Sequence, residues 1–465
     1  MSLHTPHLVW SWLASQRAAA YRCGLVLLAL PALIGSPISA QAQQPQVHAK
    51  DLIGYAVESV GPKHEAVESA IQTFTQGNVE AARDQLDEAY RKDPNLPPPD
   101  ITLAKLYMMA NQAPAARALL EKVVNDYPDD PEPILLFGEQ AVAEGRATDA
   151  QLLFDAGMAK TAAWKGNPLR GKNFVIRSHA GLATVAEARE NWAKSIEELK
   201  AWLAADEKNV VALQRLGRAQ FMKGEEKEAY ISFLESSKAD PEMAHADVII
   251  ARLYEQKADR ENAERFMDRA LRNKSSNLQT RLAAIRWLVE TEQINKAKPE
   301  LDALIKDHPD SVDTHLFAGI VDWMLEDQGG ALKHLEDAYL KEPSNFDAGN
   351  QLALFLISRP EEEMRNRALK YAENNYRIHG KNPEAHVTLG WVYYQMGRTK
   401  EAEQLLNTAL RGGRLSADSS YFVAKIFWDR GKNDTAKELL TKALDSKRLF
   451  VHRNDAKLLL AKIAK

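Results

Sequence analysis

Residues 386–410, HVTLGWVYYQMGRTKEAEQLLNTAL, decide the fold. His386, Leu389 and Tyr393 recur at spacings of three and four, and so do Ala402, Leu406 and Ala409. Each set therefore falls on one stripe of a helix. Gly397 stands between the two stripes, where a residue without Cβ turns the chain at positive φ. Gly390 lets the partner helix approach closely. The segment reads as two antiparallel helices joined by a tight turn.

The same pattern returns every 34 residues, and such a period is sought before any other fold assignment. Leu213, Leu216 and Gly217, followed by Gly224, Ala229, Phe233 and Pro241, form a second clear copy. Prolines that close the units stand at Pro94, Pro128, Pro241, Pro309 and Pro343, and proline cannot donate to a continuing helix. Eleven units begin at Lys63, Pro97, Pro131, Ile176, Val210, Ala244, Leu278, Val312, Phe346, Pro383 and Ala417. Small residues at Gly138, Gly217, Gly319 and Gly390, and turn glycines at Gly145, Gly224, Gly397 and Gly431, keep the same phase. No alternating strand pattern competes.

These residues resemble the tetratricopeptide repeat. The resemblance covers about four-fifths of the chain and implies an all-α, right-handed superhelical solenoid of about eleven helix pairs with a C-terminal capping helix. An array of this kind escapes the size limit of a single core, because each unit buries its apolar face only on its neighbours. The expected organisation is a signal peptide at 1–42, a polar leader at 43–62, a three-repeat block at 63–164, an insertion at 165–175, an eight-repeat block at 176–450 and a cap at 451–465. The Gly and Pro content of Lys165 to Val175 predicts a hinge or protruding loop. Ser358 to Glu361 lengthens the ninth unit by three residues and should widen its turn.

The expected export signal rests on order. Arg17 and Arg22 precede the apolar run Cys23 to Ile34, then Gly35-Ser36-Pro37, then Ala40-Gln41-Ala42 with cleavage after Ala42. That run is too short to span a bilayer as a helix, and no later run of the needed length exists. The expected compartment is the periplasm or envelope of a bacterium. The only cysteine, Cys23, lies inside the signal, so the remainder suits an oxidising compartment without disulfides. Removing the first 42 residues takes away two arginines and no acid, so the formal charge moves from −4 to about −6, with no global pull toward nucleic acid or anionic lipid.

No P-loop, HExxH, paired CxxC, EF-hand loop or GxSxG elbow occurs, so neither an enzyme nor a cofactor is expected. His179, His315 and His386 share the fourth position of their units and are read as packing residues. The family resemblance places positions 2, 5, 9, 12 and 13 of the first helix on a concave groove. At position 9 it sets Arg218, Arg252 and Arg286, with Lys105 and Lys425 at the same position elsewhere. A guanidinium row grips carboxylates or phosphates bidentately, unless carboxylates such as Glu255 or Glu290 neutralise it. Trp323, Trp391, Tyr394 and Trp428 fall on the inner positions and offer apolar anchors or sugar stacking, or else pack between units. Asn273-Lys274-Ser275 and Asn433-Asp434-Thr435 match glycosylation sequons, which are weak signals at this length. The reading is a non-enzymatic scaffold that binds a protein or peptide segment, acidic by charge, along the groove. The alternatives are a component of an envelope assembly or polysaccharide export apparatus, with polysaccharide as a second ligand, and an enzyme accessory subunit.

Overall fold

The computed structural model describes residues 47–273, 277–412, 415–446 and 448–463. The signal expected at 1–42 with Cys23, the start of the leader, and two residues of the 273–275 sequon lie outside the described residues. Among the described residues there are 24 α-helices and no strands. The chain divides at Asp240 and Pro241 into two compact units.

The first unit opens with a short helix α1 (Ala49–Ile53). Five pairs follow: α2 (Glu65–Thr75) with α3 (Val79–Lys92), α4 (Pro99–Met109) with α5 (Ala113–Asp126), α6 (Glu132–Ala143) with α7 (Ala147–Ala163), α8 (Pro168–Ala188) with α9 (Trp192–Ala205), and α10 (Val210–Lys223) with α11 (Glu226–Ala239). The second unit holds six pairs. They are α12 (Ala246–Gln256) with α13 (Arg260–Arg272), α14 (Leu278–Glu290) with α15 (Ile294–Asp307), α16 (Val312–Met324) with α17 (Gln328–Lys341), α18 (Phe346–Ile357) with α19 (Glu362–His379), α20 (Pro383–Gln395) with α21 (Thr399–Arg411), and α22 (Ala417–Asp429) with α23 (Asn433–Leu444). The helix α24 (Arg453–Ile463) closes it. The pairs match the eleven expected units.

Local chemistry sets the phase. Asn209, Asn277, Ser311, Asn345, Asn382 and Ser416 each precede a first helix, and each side chain accepts a hydrogen bond from an amide of that helix's first turn. Nearly every pair then turns on one left-handed residue. Glycine supplies it at Gly77, Gly145, Gly224, Gly397 and Gly431, whereas Asn111, Glu190, Ala258, Glu292 and Glu326 adopt it with a side chain. The ninth pair has no such residue and passes through the longer Ser358–Glu361 connection.

Packing follows the close approaches. Phe154 of α7 is 1% exposed, and a Cβ on Gly138 of α6 or Gly181 of α8 would stand 2.9 Å or 2.3 Å from its ring. One aromatic ring thus locks a pair to the next, at the density of a well-packed core. First helices of successive pairs pack directly on one another, so they line the tighter, inner side of each unit.

Two expectations change. The insertion 165–175 is mostly helix: Pro168 takes the first helical position of α8, and the Asn167 side chain caps it by accepting from the Leu169 amide. Phe174 is fully buried and meets Trp164 edge to face, with centroids 5.4 Å apart, so this stretch neither hinges nor protrudes. The described part of the leader is structured too. Ala49, Leu52, Ile53, Ala56 and Val57 are buried against Val67, Ile71, Leu86, Leu103 and Leu106.

The turns predict a pair of opposite effects. Gly224, at φ +93°, has nothing within 4 Å of a built Cβ, so Gly224→Ala tests backbone strain alone and should lower stability by about 1–2 kcal/mol. Ala258→Gly, at φ 58°, should raise it by roughly 0.5–1 kcal/mol. Urea midpoints of the two variants measure both signs, and equal signs would refute the account.

Candidate functional site

Residues from three helices and the N-terminal segment meet on the inner side of the first unit. Pro131 and the Asp130 carboxylate, which accepts from the Glu132 amide, start α6 so that Glu132 points inward with no exposure. Lys105 of α4 brings its Nζ to 2.5 Å from Glu132 Oε1. Arg170 of α8 reaches Glu132 Oε2 at 2.8 Å and Asp130 Oδ2 at 2.7 Å. Arg177, two turns further, reaches Glu132 Oε1 at 3.2 Å and Glu139 Oε1 at 2.7 Å.

Into this cluster comes Tyr55. Its hydroxyl donates to Glu132 at 2.6 Å and accepts from Lys105 at 2.6 Å, while the ammonium sits 4.1 Å from the ring centroid. Asn167 holds the next residue, part of the turn that follows α1, donating to the Ala56 carbonyl at 2.6 Å and the Asn95 carbonyl at 2.9 Å. At the other end the Ala49 amide donates to Glu68 Oε2 at 2.7 Å.

Electrostatics are strong because water is excluded. Burial pushes the Glu132 carboxyl up, but Lys105, Arg170 and Arg177 outweigh it and hold the group far below its ordinary value. Burial brings the Lys105 ammonium down to about 8 despite the pull of Glu132. Burial and then Glu132 raise the Tyr55 phenol. Three carboxylates and three cations balance, so the cluster is stable only as a set.

The second unit carries the other groove residues singled out from sequence, while Lys105 and Arg218 belong to the first, where Arg218 is half-buried on α10. Arg252 on α12 donates to Glu255 at 2.9 Å and Glu290 at 2.8 Å, so this rung is neutralised. Arg286 on α14 is exposed, with its guanidinium 4.7 Å from the Phe317 centroid. Trp391 is only 9% exposed, stacked on Phe422 at 4.8 Å and Tyr394 at 6.0 Å. Tyr394 donates to Asp429 at 3.0 Å, Lys425 pairs with Asp429 at 2.7 Å, and Lys425 lies 4.4 Å over the half-buried Trp428. Trp391 and Tyr394 thus pack against the following pair, whereas Lys425 and Trp428 contact each other along α22.

Trp323 leads to the other end of the chain. It meets Phe355 at 5.4 Å and His452 at 5.2 Å, both edge to face. His452 also stacks on Tyr421 at 5.4 Å and meets Phe422 at 4.8 Å. The Asp418 carboxylate accepts from the Val451 amide at 3.2 Å, the His452 amide at 3.0 Å and the His452 ring nitrogen Nδ1 at 2.7 Å. Glu384 occupies the same register in α20 and accepts from Ser416 and Ser419 at 2.6 to 2.7 Å. The acid at the second position of a first helix thus holds the incoming backbone of whatever comes next.

Sequence reasoning marked Lys105 by register but missed Tyr55, Glu132, Arg170 and Arg177. Glu132 follows Pro131 without any motif, and three of its partners, Arg170, Arg177 and Tyr55, come from 38 to 77 residues away. Asp418 shares its register with Asp313, Asp347 and Glu384, a row of acids that was legible.

A family model of the tetratricopeptide repeat matches residues 74–136 and 361–426, one segment in each unit. The matched segments are tetratricopeptide repeats, and the eleven helix pairs keep their phase along the described residues. No curated protein matches it. Among solved structures it is similar to a tetratricopeptide-repeat protein of Thermus thermophilus, at 18% identity over 40% of this chain and 98% of that one, with TM-score 0.34. Yeast Tom70 aligns at 13% identity over 86% of this chain and 95% of its own, with TM-score 0.37. A repeat protein of Parabacteroides merdae aligns at 14% identity over 63% and 99%, again with TM-score 0.37. Scores this low define no shared ligand or partner.

Glu132→Gln leaves three buried cations facing a neutral amide and should cost about 3–5 kcal/mol at neutral pH. The sign of the pH effect follows from the depressed carboxyl. Its stabilisation is complete above the ordinary value of 4.5 and is lost as pH falls below it, so the gap between the parent and E132Q should narrow from about pH 5 to pH 3. Urea unfolding at a series of pH values measures this, and a gap that widens in acid would contradict it.

Proposed function

We propose that this protein is a non-enzymatic scaffold that binds an extended segment of a partner protein along the inner sides of its helix pairs. One observation carries the reading: each unit already holds a piece of its own chain there as a peptide ligand would be held. Tyr55–Val57 is gripped by a buried carboxylate and by Asn167, and Val451–His452 by Asp418 and an aromatic wall. Both segments are turns held by side chains on their backbone amides and carbonyls, with an aromatic ring as anchor, and such contacts are also those by which a rigid groove takes a partner's backbone. Arg286, exposed beside the Phe317 ring, adds a cationic contact suited to a carboxylate on the partner.

The reading extends to place. The order Arg17, Arg22, Cys23 to Ile34 and Ala40-Gln41-Ala42 supports export to the periplasm or envelope, with the partner met there. Among the described residues no helix is long and apolar enough to cross a membrane.

A photoreactive residue placed at Arg286 in living cells should give discrete protein adducts, whereas the same residue at Leu340, an outer position 73% exposed, should give none. Equal adducts from both positions, or adducts from Leu340 alone, would refute the inner-side reading. In the same preparation, mass spectrometry of the recovered chain should find its N-terminus at Gln43, and a chain that keeps Met1 in the cytoplasm would refute export.

A further inference from the structure

The third pair of the second unit sets two imidazoles against each other. His315 of α16 and His334 of α17 bring their Nδ1 atoms to 3.3 Å. Asp337, one turn after His334, places Oδ2 3.7 Å from His315 Nδ1. The three ligating atoms lie within 4.8 Å of one another.

The outer contacts decide where the protons sit. His315 Nε2 is 2.8 Å from the Pro309 carbonyl, which only accepts, so Nε2 carries the hydrogen and Nδ1 presents a lone pair. His334 Nε2 faces Asp322 Oδ2 at 3.8 Å, and that carboxylate is 1% exposed and paired with Lys298 at 2.8 Å. A carboxylate behind Nε2 favours the hydrogen there and turns the second lone pair toward the first. His315 is only 6% exposed, so its lone pair faces the pair interior rather than open water. Two converging lone pairs beside a carboxylate ask for a cation.

We propose that His315 Nδ1, His334 Nδ1 and Asp337 Oδ2 bind one divalent transition-metal ion of the zinc class, with water in the fourth position. Tetrahedral bonds of about 2.0–2.1 Å put neighbouring donors roughly 3.3–3.5 Å apart, near the 3.3 Å between the two Nδ1 atoms and the 3.7 Å from His315 Nδ1 to Asp337 Oδ2. Two imidazoles and one carboxylate suit zinc better than calcium or magnesium, which prefer all-oxygen sites. Pro309 and Asp322 take the orienting role that outer carbonyls and carboxylates take behind metal-bound histidines. The ion would staple the two helices of one pair. This site is separate from the peptide-binding reading and stands without it.

The test uses the full chain, purified without a polyhistidine tag and stripped with a chelator, then titrated with zinc chloride against a chromophoric competitor. One equivalent should bind, and cobalt(II) chloride should give the visible bands of a nitrogen-and-oxygen tetrahedral site. His334→Gln and Asp337→Asn should each weaken zinc at least tenfold, while His386→Gln, at the same register as His315 in α20, should bind like the parent. Asp337 is 36% exposed, so its variant keeps the fold even if the histidine variant does not, as circular dichroism will show. Zinc absent from the parent, or retained by both H334Q and D337N, overturns the assignment.

Discussion

A pair of antiparallel helices has more apolar surface than it can cover by itself, and every feature of this protein answers that constraint. Within each unit the next pair covers it, through contacts such as Phe154 lodged against Gly138 and Gly181. Stability is then a sum of nearest-neighbour interfaces. The constraint sharpens at the outermost pairs of the described residues. At the start, α1 and the residues after it cover the first two pairs with Leu52, Ile53 and Val57. At the finish, α24 covers α22 and α23 with Ala456 and Leu459.

Covering the ends with short helices and the turns beside them brings a second requirement, because amides and carbonyls in those turns must find partners away from water. The two units solve this with different chemistry. The second uses carboxylates at the edge of the inner wall, where Asp418 satisfies two amides and one ring nitrogen at once. The first sinks a carboxylate completely and surrounds it with cations, and a buried ion pair adds little net stability over apolar packing. What Glu132 adds is uniqueness of fit. Only a phenol at the position of Tyr55 can both donate to the carboxylate and accept from Lys105.

The period was legible because it is local. Caps such as Asn277, Ser311 and Asn345 recur 34 residues apart, and helix phase follows from them without tertiary information. The turn glycines were legible for the same reason, but five turns place Asn, Glu or Ala at positive φ, where no residue type announces the geometry. The segment 49–57 was missed because a five-residue helix has no periodicity to read. The stretch 165–175 was misjudged because Gly and Pro suggest a loop, whereas proline is also favoured in a first helical turn. The inner wall was half legible. Register put Arg252 on it with Glu255 and Glu290 as its expected partners, and both do pair with it, whereas Glu132 and its cations share no register and were not legible.

Occupied walls change what binding means for a scaffold of this kind. A segment tethered to its own site competes at an effective concentration near the millimolar range for short flexible connections. A partner that seeks the wall of either unit must match those contacts or bind only the fraction of molecules whose segment is released, so its apparent affinity falls by that fraction. The two ends are not equal in this respect. Release of Val451–His452 strips an edge carboxylate that water can solvate, because Asp418 is 16% exposed. Release of Tyr55 leaves Lys105 and Glu132 without the hydroxyl that links them, in a site with almost no access to water. The wall of the second unit is therefore the easier one to open, and the first unit is the one whose shape persists whether or not a partner is bound.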